Sequence, residues 1–197
     1  MFLEKTSNNI HQCGWIEVIT GSMFSGKTEE LIRRLKRAQL ANLKVEIYKP
    51  VVDVRYSASN VVSHNLSAVS STAVESALSI LLLTTDANVI GIDEAQFFDK
   101  GIIEVCNLLA NRGKRVVVAG LDMDFQGNPF GSIPQLMAIA EYVTKLQAIC
   151  LCCGNLAHHS YRKSQTKDLI ELGESSNYQP LCRKCFNSQI TETHATI

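Results

Sequence analysis

The chain has no excess of charge of either sign, no apolar segment typical of a leader among its first residues and no long apolar run. Its 197 residues include 19 basic and 19 acidic side chains, so no electrostatic footprint favours binding to nucleic acid. The first fourteen residues include Glu4 and a polar stretch but no apolar core of a signal peptide. The longest uncharged apolar run, 78–83, is far too short to span a bilayer. These absences predict a soluble cytoplasmic protein with neither a membrane nor a nucleic acid as partner.

What the sequence does contain is an alternation of strands and helices between residue 15 and about residue 149. Strands are predicted over 15–19, 44–48, 88–92, 115–120 and 143–149, and helices over 29–38, 71–84, 99–111 and 134–142. The helix over 71–84 is expected to bury a stripe of Val74, Leu78 and Leu81 or Leu82. This order predicts a mainly parallel sheet flanked by helices, with the β-branched strand 115–120 at its centre. We expect an α/β domain over 15–149 and a small second domain over 150–197.

A phosphate-binding loop lies between the first predicted strand and the first predicted helix. It matches the pattern G-x-x-x-x-G-K-[ST] at every fixed position through Gly21, Ser22, Met23, Phe24, Ser25, Gly26, Lys27 and Thr28. The two glycines would let successive backbone N–H groups converge on the phosphates of a nucleotide. The lysine adds a positive charge near these phosphates, and the threonine hydroxyl can bind Mg²⁺. Because a strand precedes the loop and a helix follows it, the sequence predicts binding of a nucleoside triphosphate.

A second functional element is the apolar strand 88–92, which ends in Asp93 and Glu94. Ligands bind beyond the carboxyl ends of parallel strands, so we expect both acids beside the phosphate-binding loop. Asp93 would hold the Mg²⁺ that bridges the phosphates, and Glu94 would accept a proton from the attacking group. The pair does not identify that group: water would make the protein an ATPase, and a substrate hydroxyl would make it a kinase. Residues 93–96 also look like motif II of helicases, but the chain is too short for two motor domains.

Four of the seven cysteines form two C-x-x-C pairs, Cys150 with Cys153 and Cys182 with Cys185. This spacing favours a tetrahedral Cys₄ zinc site over disulfides, which would not persist in a reducing compartment. A thiol redox pair is the alternative for either motif. The region from Cys150 onward lacks the strand–helix periodicity, and we expect it to be too small to fold without zinc.

The other three cysteines are not expected to bind the metal. Cys152 would leave a gap of one residue to Cys150 and none to Cys153, so we exclude it as a ligand. Cys13 and Cys106 are interpreted as ordinary small hydrophobic residues.

Taken together, the motifs resemble those of thymidine kinases of the P-loop, zinc-containing type, over residues ~14 to ~186. The segments that carry the resemblance are 21–28, 53–56, 93–98, 120–131 and both C-x-x-C pairs. The resemblance implies a RecA-like P-loop NTPase fold with a lasso loop, residues 154–181, that is tied by zinc and folds over the nucleoside. It implies transfer of the γ-phosphoryl group of ATP to the 5′-hydroxyl of thymidine, giving dTMP and ADP in deoxynucleotide salvage for DNA synthesis. Homotetramers and inhibition by dTTP are further implications.

The resemblance also implies roles for individual residues, beginning with Glu94 as the catalytic base for the 5′-hydroxyl. It places ATP against all eight residues of the loop 21–28 and against Asp93, Glu94, Ala95 and Gln96, with Mg²⁺ on Thr28 and Asp93. The nucleoside pocket would be formed by Met23, Phe97, Leu121, Phe125, Phe130, Ser160, Leu169 and Tyr178. Residues implied near phosphates are Asp53, Arg55 and Arg162. The zinc is implied to be structural, and lasso backbone groups would supply much of the recognition of thymine.

Several of these residues also have plainer interpretations. The pocket residues Met23, Leu121 and the phenylalanines fit core packing equally well, and Arg55 and Arg162 fit solvated loop charges. Two other functions are considered. A P-loop ATPase with a zinc module for nucleic acid would show salt-dependent DNA binding and DNA-stimulated ATP hydrolysis. A non-catalytic nucleotide sensor is disfavoured because the lysine and both acids are intact.

Overall fold

The computed structural model describes residues 13–51, 71–163 and 177–195, with side chains of the last helix described as far as residue 191. The strands of its main sheet are β1 Trp15–Gly21, β2 Val45–Pro50, β3 Ser71–Val74, β4 Val89–Ile92, β5 Arg115–Gly120 and β6 Tyr142–Leu146. Their order is β3-β2-β4-β5-β1-β6. All the pairings are parallel. The predicted α/β class with a mainly parallel sheet is therefore confirmed.

Helices cover both faces of this sheet. They are α1 Lys27–Leu40, α2 Ala77–Leu83, α3 Ile102–Asn111 and α4 Ile133–Ile139, with a 3-10 turn at Ala95–Phe97. One buried cluster joins α1 to the sheet, and a larger one joins the sheet to α2, α3 and α4. Every residue of β5 is buried, and the strand lies between β4 and β1. This confirms that the β-branched run 115–120 is a central strand, buried on both faces.

The helix predicted over 71–84 is wrong in its first part. Ser71–Val74 is strand β3, paired with β2, and α2 begins only at Ala77. The side chain of Ser76 accepts a hydrogen bond from the backbone N–H of Ser79 and caps the helix. Serine favours this capping position over a helix interior, and the preceding β-branched residues favour extended backbone. The capping serine therefore separates the two elements.

The apolar stripe expected on this helix is also partly wrong. Val74 is buried, but within β3, and Leu81 packs partly against the core. Leu78 and Leu82 are 60% and 77% exposed. The positions of α2 that face the core follow the spacing i, i+3, i+4 from Ala77 instead. The buried residues of α2 are Ala77 and Ile80.

The boundaries predicted over 134–149 need two corrections. Helix α4 ends at Ile139, because Ala140 is extended, and Tyr142 opens β6 rather than closing the helix. Aromatic and β-branched residues at 142–144 favour this strand. The strand predicted over 143–149 is divided, since β6 ends at Leu146 and Ala148–Ile149 forms a separate strand, β7. The residue types on either side of this break do not mark it.

The remaining elements form a small lobe of two antiparallel strand pairs and a helix. After β7 come β8 Leu156–Ala157, β9 His159–Arg162, β10 Tyr178–Leu181 and α5 Arg183–Ala195. β7 pairs with β8, and β9 pairs with β10. A separate core holds the lobe together and consists of Ala148, Cys150, Ala157, Leu181 and Phe186. The division at residue 149 stays a prediction. Among the described residues, no helix combines the length and the apolar character needed to cross a bilayer.

A buried ion cluster connects β1, β5 and α1. Glu17 is 1% exposed and accepts hydrogen bonds at 2.7 Å from Arg34 Nη1, Arg115 Nε and Trp15 Nε1. Burial alone would raise the pKa of Glu17, but Arg115, Trp15 and Arg34 outweigh it and lower the pKa. A lowered pKa means that the stabilisation is present at neutral pH and is lost as the pH falls below the ordinary carboxyl range.

We expect Glu17→Gln to lower the free energy of unfolding by about 3–5 kcal/mol at neutral pH, because Arg34 and Arg115 would lose a buried charged partner. Urea unfolding measures this change. The matched control is Asp86→Asn in the exposed pair with Lys44, which should change stability by at most about 1 kcal/mol. The loss in Glu17→Gln should shrink as the pH falls. Equal losses for the two variants would contradict the importance of the buried cluster.

Candidate active site

The phosphate-binding loop connects the interior strand β1 to the start of α1. A Cβ on Gly21, which has φ 143°, would lie 2.2 Å from the backbone oxygen of Leu146 in β6. Gly26 precedes α1 in the left-handed conformation, with φ 83°. Both fixed glycines are therefore required by the backbone. Phe24 is also left-handed, with φ 63°, and the residue is 48% exposed. This conformation is uncommon for a bulky residue.

The ammonium group of Lys27 is held against the loop. Its Nζ donates a hydrogen bond to the backbone oxygen of Ser22 at 2.8 Å, and the residue is buried. Burial lowers the pKa of Lys27, while the negative charges of Glu94, Asp93 and Asp122 act to raise it. The lysine is thus placed among acidic groups at the carboxyl edge of the sheet, where it can also meet a phosphate.

Thr28 and Asp93 lie side by side. The Thr28 hydroxyl donates to Asp93 Oδ2 at 3.2 Å. Burial, followed by the neighbouring charge of Glu94, raises the pKa of Asp93 to about 7. Hydroxyl and carboxylate oxygens are ligands that Mg²⁺ accepts, and a cation here would stabilise the ionised carboxylate. These two residues therefore fit a magnesium ion.

Glu94 follows β4 in a left-handed turn, with φ 50° and ψ 40°. The conformation is uncommon for a residue other than glycine, and such turns occur often at functional sites. Gln96 Nε2 donates a short hydrogen bond to Glu94 Oε2. The Glu94 backbone N–H donates to Asp93 Oδ1 at 3.0 Å. The two neighbouring acids thus have different partners, Thr28 for one and Gln96 for the other.

The residues implied for the nucleoside pocket come from both lobes. Phe97 meets Phe130 edge to face, with centroids 5.8 Å apart. The Arg162 guanidinium lies over the Phe125 ring at 3.6 Å from its centroid. Tyr178 on β10 pairs with Arg162 on β9 and is buried. The structure thus places an arginine of the small lobe against a phenylalanine that follows β5, with a buried tyrosine on the neighbouring strand of that arginine.

Ser160 connects the small lobe to the phosphate-binding loop. Its Oγ on β9 accepts a hydrogen bond at 2.9 Å from the backbone N–H of Met23. Leu121 follows β5, and its N–H donates to Gln96 Oε1 at 3.0 Å. Asp53, Arg55 and Leu169 lie outside the described residues.

The four cysteines of the C-x-x-C pairs come together at one point of the small lobe. Their sulfur atoms all lie within 4.8 Å of one another, and Cys153 Sγ is 3.6 Å from Cys182 Sγ. Four sulfurs around one zinc at ~2.3 Å would be about 3.8 Å apart. Burial would raise the pKa of Cys150, but backbone hydrogen bonds from Cys182, Cys153 and Cys152 outweigh it and lower the pKa to about 6. The cluster therefore fits one metal ion, whereas two independent redox pairs would not require this meeting.

The three other cysteines have different surroundings. Cys106 is fully buried in α3, and burial raises its pKa to about 12, as befits a small hydrophobic residue. Cys152 is exposed and is not part of the cluster. Cys13 is also exposed. It therefore does not pack in the core as a small hydrophobic residue would, and that interpretation of Cys13 is wrong.

Sequence reasoning missed an ion pair beside the loop. Lys145 on β6 pairs with the buried Asp122, which follows β5, and β1 lies between the two strands. Thr20 is in register with both Gly120 and Lys145, so the pair crosses the base of the phosphate-binding loop. Asp122 follows a buried strand just as Asp93 does, and this signal could have indicated it. Lys145 had no such signal, because its partner is distant in sequence.

Comparison with known proteins identifies the family. The model of the family described as "Thymidine kinase" matches residues 14–186. The chain belongs to the thymidine kinase family. This match confirms the family that the sequence motifs indicate. The predicted function, thymidine kinase, and the predicted enzyme class, an ATP-dependent phosphotransferase, are those of this family.

Several relatives named "Thymidine kinase" match this family member over most of their length. That of Bacteroides fragilis is 55% identical over 192 residues, covering 98% of this chain and 96% of its own. That of a Rhodothermus species is 59% identical over 173 residues, covering 88% and 81%. Among solved structures, the ATPase DotB of Legionella pneumophila is similar with a TM-score of 0.42 and 16% identity, covering 75% and 44%. A likeness this low says nothing about function.

Proposed function

We propose that this member of the thymidine kinase family transfers the γ-phosphoryl group of ATP to the 5′-hydroxyl of thymidine. The observation that carries the proposal is the position of Glu94. Its carboxylate lies at the carboxyl edge of the sheet, close enough to Lys27 for their charges to interact, and is connected through Gln96 to Leu121. A base between a phosphate-binding loop and an apolar pocket suits phosphoryl transfer to an alcohol.

The proposed reaction uses these groups as follows. Backbone N–H groups of the loop 21–28 and the Lys27 ammonium bind the phosphates, and residues 93–96 complete the ATP site. Thr28 and Asp93 would hold Mg²⁺, which when bound balances the negative charge of the phosphates. Glu94 accepts the proton of the 5′-hydroxyl as the oxygen forms a bond to the γ-phosphorus. The bond from that phosphorus to the β-phosphate oxygen breaks, and ADP leaves.

The nucleoside is proposed to lie between the two lobes. Met23, Phe97, Leu121, Phe125, Phe130 and Leu169 would enclose it, with Ser160 and Tyr178 contributed by the small lobe. Backbone groups of 154–181 would recognise the thymine base. Asp53, Arg55 and Arg162 are proposed near the phosphates. The stacking of Arg162 on Phe125 supports a place for that cation beside the pocket.

We propose zinc for the four-cysteine cluster, in a structural role, because four protein ligands leave no open position for catalysis. The ion would tie together the two ends of 154–181. A homotetramer, inhibition by dTTP, a cytoplasmic location and a part in deoxynucleotide salvage are proposed from the family alone. The domains 15–149 and 150–197 are proposed as well.

One assay tests the proposed function. The purified full chain is incubated with ATP, Mg²⁺ and each deoxynucleoside in turn, and the 5′-monophosphate and ADP are measured. We expect dTMP and ADP in equal amounts, and little ADP without a nucleoside. ADP formed without any monophosphate and stimulated by DNA would instead support the ATPase. Binding of ATP without turnover would support the nucleotide sensor.

A further inference from the structure

The side chain of Gln96 lies between the proposed base and the segment that follows β5. It is only 4% exposed. Its Nε2 donates to Glu94 Oε2, and its Oε1 accepts from the backbone N–H of Leu121 at 3.0 Å. One amide group thus joins Glu94 to Leu121, which are 27 residues apart in the sequence.

Chemistry determines the orientation of this amide. The backbone N–H of Leu121 can only donate, so it must face the amide oxygen of Gln96. The ionised carboxylate of Glu94 can only accept, so it must face the amide nitrogen. If the amide were flipped, its N–H donor would face the N–H of Leu121, and its oxygen would face the carboxylate oxygen of Glu94. The orientation therefore follows from both partners together.

Two glycines make room for Gln96. A Cβ added to Gly120 would lie 2.8 Å from Gln96 Oε1, and one added to Gly131 would lie 2.4 Å from the Gln96 backbone oxygen. Real Cβ atoms essentially never approach so closely. Both glycines bound the segment 120–131, which carries three of the eight residues implied for the nucleoside pocket. Gln96 therefore packs against the segment 120–131, and its amide connects the position of this segment to that of the Glu94 carboxylate.

We propose that Gln96 is a positioning residue for Glu94, which holds one carboxylate oxygen and leaves the other directed at the substrate hydroxyl. This inference rests on the proposed function of Glu94 as the base, and it differs from the ATP contact implied for Gln96 by the resemblance. The N–H donor stabilises the ionised carboxylate and restricts its rotation. A correctly placed base matters because small displacements of reacting groups cost large factors in rate.

The first test is Gln96→Met, which keeps the length of the side chain and removes its amide. We expect kcat to fall by about 10- to 100-fold, with the thymidine KM changed by less than about threefold, as for an interaction that serves mainly the reaction step. The control is Gln39→Met on the exposed face of α1, which should leave both quantities unchanged.

Gln96→Glu separates the two hydrogen bonds. Its carboxylate can still accept from Leu121 N–H but cannot donate to Glu94 when ionised. A residue that positions Glu94 would not tolerate this change, because the donor is lost and a second negative charge faces Glu94, and we expect kcat to fall at least as far as in Gln96→Met. Near-normal kcat in Gln96→Glu would overturn the proposal, and this variant also decides the matter if Gln96→Met does not fold.

A double-mutant cycle with Glu94→Gln provides the decisive comparison. If Gln96 acts through Glu94, the double variant Glu94→Gln/Gln96→Met should be no slower than Glu94→Gln alone. Independent, multiplying losses would overturn the proposal. Failure of the proposed function is a different result, in which the wild-type chain forms no dTMP. If the wild type forms dTMP but Glu94→Gln is as fast, then Glu94 is not the base and Gln96 has nothing to position.

Discussion

Replacing Glu94 with glutamine is expected to lower kcat for dTMP formation by about 10²- to 10⁴-fold, the usual contribution of a positioned base. The amide has nearly the same shape as the carboxylate but cannot take up the proton of the 5′-hydroxyl. The ATP site should persist, because Lys27 is held by the Ser22 backbone oxygen and Thr28 by Asp93. The binding of ATP should therefore change little. Steady-state kinetics and ATP titration measure the two effects.

The matched control for this variant is Glu104→Gln, an exposed residue of α3. It removes one carboxylate of the same kind and should retain normal kcat, KM and thermal stability. Near-normal phosphorylation by Glu94→Gln would remove Glu94 from the mechanism. Loss of ATP binding in the same variant would show that Glu94 acts mainly on the nucleotide rather than on the hydroxyl.

Replacing Cys182 with serine is expected to abolish metal binding and to raise the thymidine KM. The core of the small lobe contains five buried residues, and one of them is the metal-ligand candidate Cys150. Without the metal, β9 and β10 would lose their anchor, and with them Ser160 and Tyr178. Ordering a segment on binding costs about 2–5 kcal/mol, which corresponds to an increase in KM of roughly 30-fold or more.

Cys152→Ser is the control for this variant, because it changes an exposed thiol of the same turn that is not part of the cluster. Elemental analysis should find one zinc per chain in the wild type and the control, and none in Cys182→Ser. Hydrogen exchange should become faster in 148–163 and 177–191 and stay unchanged in the main sheet. An unchanged KM in a metal-free variant would refute the role of the metal. Activity that responded to oxidants in a chain that never binds metal would revive the thiol redox alternative.

The parts of the site that were predicted from the sequence depend on residues close together in the chain. The phosphate-binding loop has its two glycines, lysine and threonine within eight positions, and the backbone needs those glycines where the pattern has them. Strand 115–120 was predicted at the centre of the sheet because a run of β-branched residues is buried on both faces. The four cysteines were recognised because each C-x-x-C pair is local and metal chemistry requires the two pairs to meet.

The errors in the fold arose where local preferences compete. Residues 71–84 have an apolar pattern that fits one long helix, but Ser76 caps a shorter one and the residues before it add a strand to the sheet edge. After Leu146 the chain leaves the sheet, although residues 143–149 resemble one strand. In both places the outcome depends on which neighbour the segment meets, and the sequence of the segment does not contain this information.

The sequence by itself determined the phosphate-binding loop, the acids after β4, the two C-x-x-C pairs and the family, because each rests on residue types at short, characteristic spacings. The tertiary structure alone decided the partners that connect these elements. Gln96 meets Leu121, Ser160 meets Met23, and Lys145 meets Asp122 across β1. Such contacts join residues that are far apart in the chain, and only the packing of the sheet and the small lobe brings them within hydrogen-bonding distance.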